Sequence, residues 1–142
     1  MIYFDSCYLA KFYLAEPDSA RVTAFAQAQG RVACLVIGRA EVVSVFHRKF
    51  RECVVDERGF HLLCDQFESD CASGLGQWIP MDDGLLRGLA RRVRSLPMNT
   101  FLRTADALHL TCAAELGFSA VHTSDRHMVA AAPAFGLQAV TT

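Results

Sequence analysis

Four acids offer the chemistry in this chain: Asp5, Glu41, Asp106 and Asp125. Asp5 ends the apolar run Ile2-Tyr3-Phe4, and Asp125 follows the run at 120–123. Glu41 comes just after Val32–Ile37, and Asp106 stands between Ala105 and Ala107, both in apolar helix starts. Singly, each has an ordinary explanation. Asp5 and Asp125 can cap helices, and the helix dipole favours acids in a first turn. Together they pose an electrostatic problem, because two carboxylates ~5 Å apart at an effective dielectric of ~20 repel by about 3 kcal/mol. Such clusters persist when a divalent cation neutralises them or when some members hold protons. All-oxygen donors favour Mg²⁺ or Mn²⁺ over zinc. A cation held that way suits phosphoryl chemistry, since it can bind a phosphate oxygen and activate water.

For the four acids to meet, the chain must bring them to one edge of a sheet. Residues 2–4 read as a short strand, and Ser6 can cap a helix reaching about Ala15. Glu16-Pro17-Asp18-Ser19 breaks that helix and starts another, which Gly30 ends. Val32–Ile37 is a continuous apolar run, as expected of a strand buried on both faces. A helix over 39–50, a helical hairpin over 54–72, a strand over 77–80 and a helix over 83–95 follow. Residues 104–116 read as an amphipathic helix with Ala105, Leu108, Cys112 and Leu116 aligned. A strand at 120–123, a helix at 125–132 and a strand at 137–141 complete the pattern. Short apolar strands alternating with helices predict a parallel sheet covered on both faces, with ligands outside the carboxyl ends of its strands.

Size and composition narrow the classes. The chain has 142 residues, enough for one domain spanning 1–142. At 52% hydrophobic and 20% charged it is too apolar for a disordered chain. No stretch approaches the ~20 apolar residues of a membrane span. Asp5 interrupts what would be the apolar part of a signal peptide, so a cytoplasmic location is expected. The six cysteines contain no C-x-x-C pair and read as free thiols, mostly small core residues. No G-x-S-x-G, P-loop or dinucleotide fingerprint is present, so no organic cofactor is expected. The net charge of −1 does not mark a polybasic nucleic-acid binder. Setting aside the four acids as a metal pocket leaves fourteen basic residues against eleven acids, a mildly basic remainder.

These segments resemble a known family. The opening Ile2-Tyr3-Phe4-Asp5-Ser6-Cys7-Tyr8-Leu9, Gly38-Arg39-Ala40-Glu41-Val42, Leu102-Arg103-Thr104-Ala105-Asp106-Ala107-Leu108-His109 and Val121-His122-Thr123-Ser124-Asp125 are similar to the four acidic segments of PIN-domain ribonucleases. The resemblance is closest to VapC-type toxins of toxin–antitoxin pairs and covers essentially the whole chain. It implies a three-layer α/β/α fold around a mostly parallel sheet of about four to five short strands. It also implies a Mg²⁺- or Mn²⁺-dependent endoribonuclease whose catalytic metal ligands are Asp5, Glu41, Asp106 and Asp125. Ser6 and Thr123 would hydrogen-bond a carboxylate or a metal-bound water. Hydrolysis would leave a 5′-phosphate and a 3′-hydroxyl. The implied partners are an RNA substrate, a small VapB-like antitoxin and a second copy of the chain. In the family, an antitoxin segment covers the groove and often presents an arginine to the acids. The helices at 6–29 are the expected docking face. A PIN nuclease that processes RNA without an antitoxin and a non-catalytic PIN-like binding protein are the alternatives.

Three positions depart from the family pattern. Cys7 stands where Ser or Asn is usual, Gly38 replaces a helix former, and the segment before Glu41 lacks a common Ser. Arg87, Arg91 and Arg94 share one helix face. With Arg103, and with Arg39 beside Glu41, they are candidate RNA contacts. The plainer reading makes the arginines between 84 and 105 a solvated face paired with the acidic stretch at 62–83. His109, three residues after Asp106, reads as packing, with a hydrogen bond to the site as the alternative. Trp78 reads as core or interface rather than as a base-stacking platform.

Overall fold

The computed structural model describes residues 1–141. In chain order the elements are β1 (Ile2–Phe4), α1 (Ser6–Ala10), α2 (Ser19–Gln29), β2 (Val32–Leu35), α3 (Gly38–Arg51) and α4 (Glu57–Ala72). There follow β3 (Gln77–Ile79), α5 (Asp83–Arg94), α6 (Thr104–Glu115), β4 (Ala120–His122), α7 (Arg126–Ala131), a 3₁₀ turn (Ala132–Phe135) and β5 (Gln138–Val140). All the strands are parallel, in the order β3-β2-β1-β4-β5. None of the helices among the described residues is long and apolar enough to cross a membrane.

The strand period of two divides the core. Tyr3 joins Leu35, Leu108, Leu110 and Phe135 on one face of the sheet, while Phe4 joins Tyr8, Val42, Phe46 and Phe67 on the other. Helices therefore cover both faces, which is the three-layer arrangement expected. The chain proceeds outward from β1 to β2 and β3, then restarts at β4 on the other side of β1. The point where strand order reverses thus lies between β1 and β4, the place where open α/β sheets hold ligands. Asp5 follows β1 directly, and Asp125 follows β4 by three residues.

Several elements differ from the sequence reading. Asp5, not Ser6, caps α1, accepting from the Tyr8 N–H at 2.9 Å. Beyond Ala10 the chain continues in i→i+3 turns, Phe12 N–H to Leu9 and Tyr13 N–H to Ala10, rather than as helix to Ala15. The tighter turn lets Tyr13 pack edge-on against Phe46 and Phe67. The hairpin expected over 54–72 is one helix. Cys53 adopts a left-handed conformation (φ 56°), Val54 and Val55 bond back to the Lys49 carbonyl, and Asp56 caps α4. Strand β2 stops at Leu35, and Ile37 already serves as the N-cap of α3. Helix α6 is not amphipathic, since Ala107 to Ala113 are all buried. It is enclosed by β2 on one side and α5, α7 and the 3₁₀ turn on others, so a two-sided pattern could not form.

Candidate functional site

Asp5 is 2% exposed and both of its oxygens are engaged. Oδ1 accepts from the Tyr8 N–H, and Oδ2 accepts from the Thr123 hydroxyl at 2.6 Å. Thr123 follows β4, so this bond clasps the two strands at the switch point; the Asp5 N–H also donates to the His122 carbonyl. Burial pushes the Asp5 carboxyl up to about 6. The bonds from Thr123 and Tyr8 and the neighbouring His109 oppose the rise, and Glu41 adds to it. The family resemblance implies that Thr123 bonds a carboxylate or a metal-bound water; in the structure its hydroxyl donates to Asp5.

Glu41 is held from the other side. His109 is 1% exposed, and its Nε2 lies 2.7 Å from Glu41 Oε2. A carboxylate only accepts, so Nε2 carries a proton in this bond. The other ring nitrogen, Nδ1, lies 2.9 Å from the Tyr3 hydroxyl, which in turn accepts from the Leu35 N–H at 3.2 Å. A chain of bonds thus runs from the β2 backbone through the floor of the core to Glu41. Burial works against ionisation of Glu41, but the His109 bond and the Ser6 hydroxyl leave its carboxyl below the usual range. Packing was the plainer reading of His109; the structure makes it a packed residue with both ring nitrogens engaged. Its position three residues after Asp106 was the available signal, but β1 and α3 supply the partners.

The same contact explains Gly38. A Cβ there would fall 2.5 Å from Cys34 Sγ, with Trp78 and His109 Cε1 at 3.6 and 3.7 Å. A side chain at this position would require either Cys34 Sγ or the first turn of α3, which carries Glu41, to shift. Cys7 is half-buried, and burial with the charges of Asp5, Glu41 and Asp125 raises its thiol to about 12, while Arg48 opposes. It is therefore a neutral thiol at the edge of the acids.

The remaining two acids are less constrained. Asp125 caps α7, with both the His127 N–H and the Met128 N–H donating to Oδ1 at 2.7 and 3.0 Å. Its own N–H donates to Thr123 Oγ1, and Lys11 secures the adjoining Ser124 hydroxyl at 3.0 Å while also pairing with Asp18. Asp106 is different: Oδ2 is buried and has no hydrogen-bond partner. Burial raises its carboxyl above the ordinary range, the charges of Asp125 and Glu41 add to this, and Arg103 counters it.

The four acids are therefore electrostatic neighbours at the carboxyl edge of β1, β2 and β4. Among the described residues, no three metal-ligating side chains converge closely enough to enclose an ion as they stand. The donor chemistry nevertheless fits a hard divalent cation. All four candidate side chains are carboxylates, and the buried Oδ2 of Asp106 lacks the partner that buried polar groups normally have.

The arginines separate along the molecule. Arg103 lies next to Asp106. Arg87 pairs with Asp83 one turn before it, while Arg91 and Arg92 reach Glu115 at the far end of α6. Nine residues separate Asp106 from Glu115, or about 13 Å at 1.5 Å per residue. Arg39 lies over the Trp78 ring at 6.0 Å. Trp78 itself packs edge-on against Phe67, in keeping with a core role. A groove of about 870 Å³ lies away from the acids. It runs between Leu9, Phe12 and Tyr13, the end of α2 and the start of β3. A second of about 690 Å³ adjoins it across Phe12 and Tyr13, bordered by Lys49 and α4.

The fold and site together define a parallel α/β protein with carboxylates gathered where the strand order reverses. The chain belongs to the PIN domain family, whose model matches residues 2–133. Three solved structures share its fold. FitAB bound to a DNA fragment has a TM-score of 0.73 at 16% identity, covering 99% of this chain and 94% of that one. FitAcB from Neisseria gonorrhoeae has a TM-score of 0.76 at 17% identity, covering 98% and 96%. VapBC2 from Rickettsia felis, bound to a DNA fragment from their promoter, has a TM-score of 0.68 at 15% identity, covering 100% and 99%. A comparison with curated protein sequences finds no match.

Proposed function

We propose that the chain is a divalent-metal-dependent endoribonuclease and the toxin of a toxin–antitoxin pair. One observation carries the nuclease reading: the buried Oδ2 of Asp106 has no hydrogen-bond partner, and its carboxyl feels the charges of Asp125 and Glu41 near the sheet's switch point. Membership in a family of nucleases supports it. Asp5, Glu41, Asp106 and Asp125 would hold Mg²⁺ or Mn²⁺. Bound there, the ion supplies positive charge to the phosphate oxygens and lowers the pKa of an attacking water.

The chain's own residues do the positioning. Thr123 and Tyr8 hold Asp5 as an acceptor on both oxygens, so its carboxylate cannot rotate away. His109 fixes one oxygen of Glu41. The α7 N–H groups fix Oδ1 of Asp125, while Oδ2 makes no hydrogen bond among the described residues. Asp106 keeps an oxygen uncommitted. Arg103, beside it, is the arginine best placed for an incoming phosphate.

The toxin reading draws on the FitAB and VapBC2 complexes, which share the fold. The two adjoining grooves around Phe12 and Tyr13 support an antitoxin on the face of α1 and α2. The test is direct. Purified chain should cut RNA with Mn²⁺ or Mg²⁺, stop with EDTA and stop on Asp106→Asn. Sequencing RNA 5′ ends after a brief pulse of expression would read out toxicity, cleavage and target together. An unaltered rate in the Asp106→Asn variant rejects the mechanism.

A further inference from the structure

The approach to the acids carries an aromatic surface that the metal chemistry does not use. Phe101 lies in the connection between α5 and α6, five residues before Asp106, and is 59% exposed. Its ring rests against His127, with centroids 4.5 Å apart and planes inclined at 57°. His127 belongs to the start of α7, and its N–H is one of the two donors to Asp125. The aromatic pair therefore bridges the segments that present the third and fourth acids. Arg126 donates through Nε to His127 Nε2 at 3.3 Å, and Arg103 lies next to Asp106. Both arginines are exposed, and neither makes an ion pair among the described residues.

We propose that Phe101 and His127 form a stacking platform for one unpaired nucleobase beside the scissile phosphate, with Arg103 and Arg126 taking the flanking phosphates. This rests on the nuclease reading and gives Phe101 and His127 a part in holding its substrate. A base in an intact duplex is already stacked on both sides and presents no free face. An unpaired base offers a π-face to Phe101 whatever its identity, and two exposed arginines without ion pairs on the same segments suit a phosphate backbone rather than an apolar partner.

The test uses the full chain with a mixed-sequence single-stranded oligoribonucleotide carrying 2-aminopurine, and the same strand in a duplex. Binding is followed in EDTA by anisotropy and 2-aminopurine quenching, and cleavage is followed separately in Mn²⁺. Phe101→Ala should weaken single-strand binding about 5- to 150-fold and abolish the quenching. It should raise KM with kcat little changed. Phe101→Trp should restore both, and the duplex should bind more weakly and ignore either substitution. An unchanged melting temperature checks that the exposed position does not affect folding. Single-strand binding by Phe101→Ala equal to that of the unaltered chain overturns the platform. So does a preference for duplex, absence of any RNA binding, or an effect confined to molecular mass or antitoxin capture. RNA that binds and quenches but is never cut would remove the nuclease reading while leaving the platform. Cleavage unaffected by Phe101→Ala would remove only the platform.

Discussion

The four acids divide into two pairs. Asp5 and Glu41 arrive with their hydrogen bonds made, from Tyr8, Thr123 and His109. Asp125 is tied only by the backbone of its own helix, through one oxygen, and Asp106 has a buried oxygen with no partner. The first pair is anchored to β1, β4 and α6, and the second pair lies beside the aromatic and arginine rim. Under the proposed metal-dependent reading, the site has one rigid wall and one wall that a ligand would complete. A rigid wall sets geometry without reorganisation during reaction, and the incomplete wall supplies the free donors that a cation needs.

The sharpest way to break this contrast is at Asp106. Asp106→Asn should lower the metal-dependent cleavage rate about a thousand-fold, the equivalent of several kcal/mol. The same change should raise the melting temperature in EDTA, because it removes a buried, repelled carboxylate. Initial rates in Mn²⁺ and thermal scans in EDTA measure the two effects. A loss of stability instead would mean that Asp106 is already satisfied.

Next comes the pH response of the rigid wall. Burial raises Asp5 from 3.8 to about 6 in the folded chain. The folded state therefore holds the proton more tightly than the unfolded state. Its contribution is fully present below pH 3.8 and is lost as pH rises through about 6. The loss is on the order of 3 kcal/mol. Melting temperatures of the protein in EDTA should fall across that window beyond the change shown by Asp5→Asn, and saturating Mn²⁺ should recover the loss at neutral pH.

The bond from His109 to Glu41 gives a smaller effect. His109→Phe keeps the ring volume but removes the donor, and should weaken Mn²⁺ binding about 10- to 100-fold by calorimetric titration. His109→Gln, whose amide can still donate, should recover part of this. Equal affinity for all three proteins would reduce His109 to packing. Smallest of all is the far end of α6. Arg91 is 68% exposed and lies 4.0 Å from Glu115, so Arg91→Ala should change stability by less than about 1 kcal/mol. Its cleavage rate should stay close to that of the unaltered chain, whereas a large loss would extend the RNA path down α5.

Much of this was legible in the chain. The alternation of short apolar runs with helices predicted the parallel sheet, because strands buried on both faces must be apolar throughout. The acids at strand ends were legible for the same reason, since the end of an apolar run marks the edge of the sheet. Helix α6 shows where the signal stops. A helix enclosed on nearly every side has no polar stripe, so its pattern could suggest an aligned face but not the burial of the whole segment. The break at Cys53 was hidden as well, because a left-handed residue other than glycine carries no sequence mark.

The sequence by itself determined which groups are present: four carboxylates, each at the start of a helix or the end of a strand, in a chain apolar enough to bury them. That follows from local periodicity. Only the tertiary structure decided how each acid is held. Thr123 reaches Asp5 from 118 residues away, and His109 reaches Glu41 across 68. Contacts at such separations depend on strand order and helix packing, which no local pattern encodes. The same is true of Gly38, whose missing side chain is explained by a sulfur atom on β2. It also holds for Phe101 and His127, brought together on the rim from segments on either side of α6 and β4.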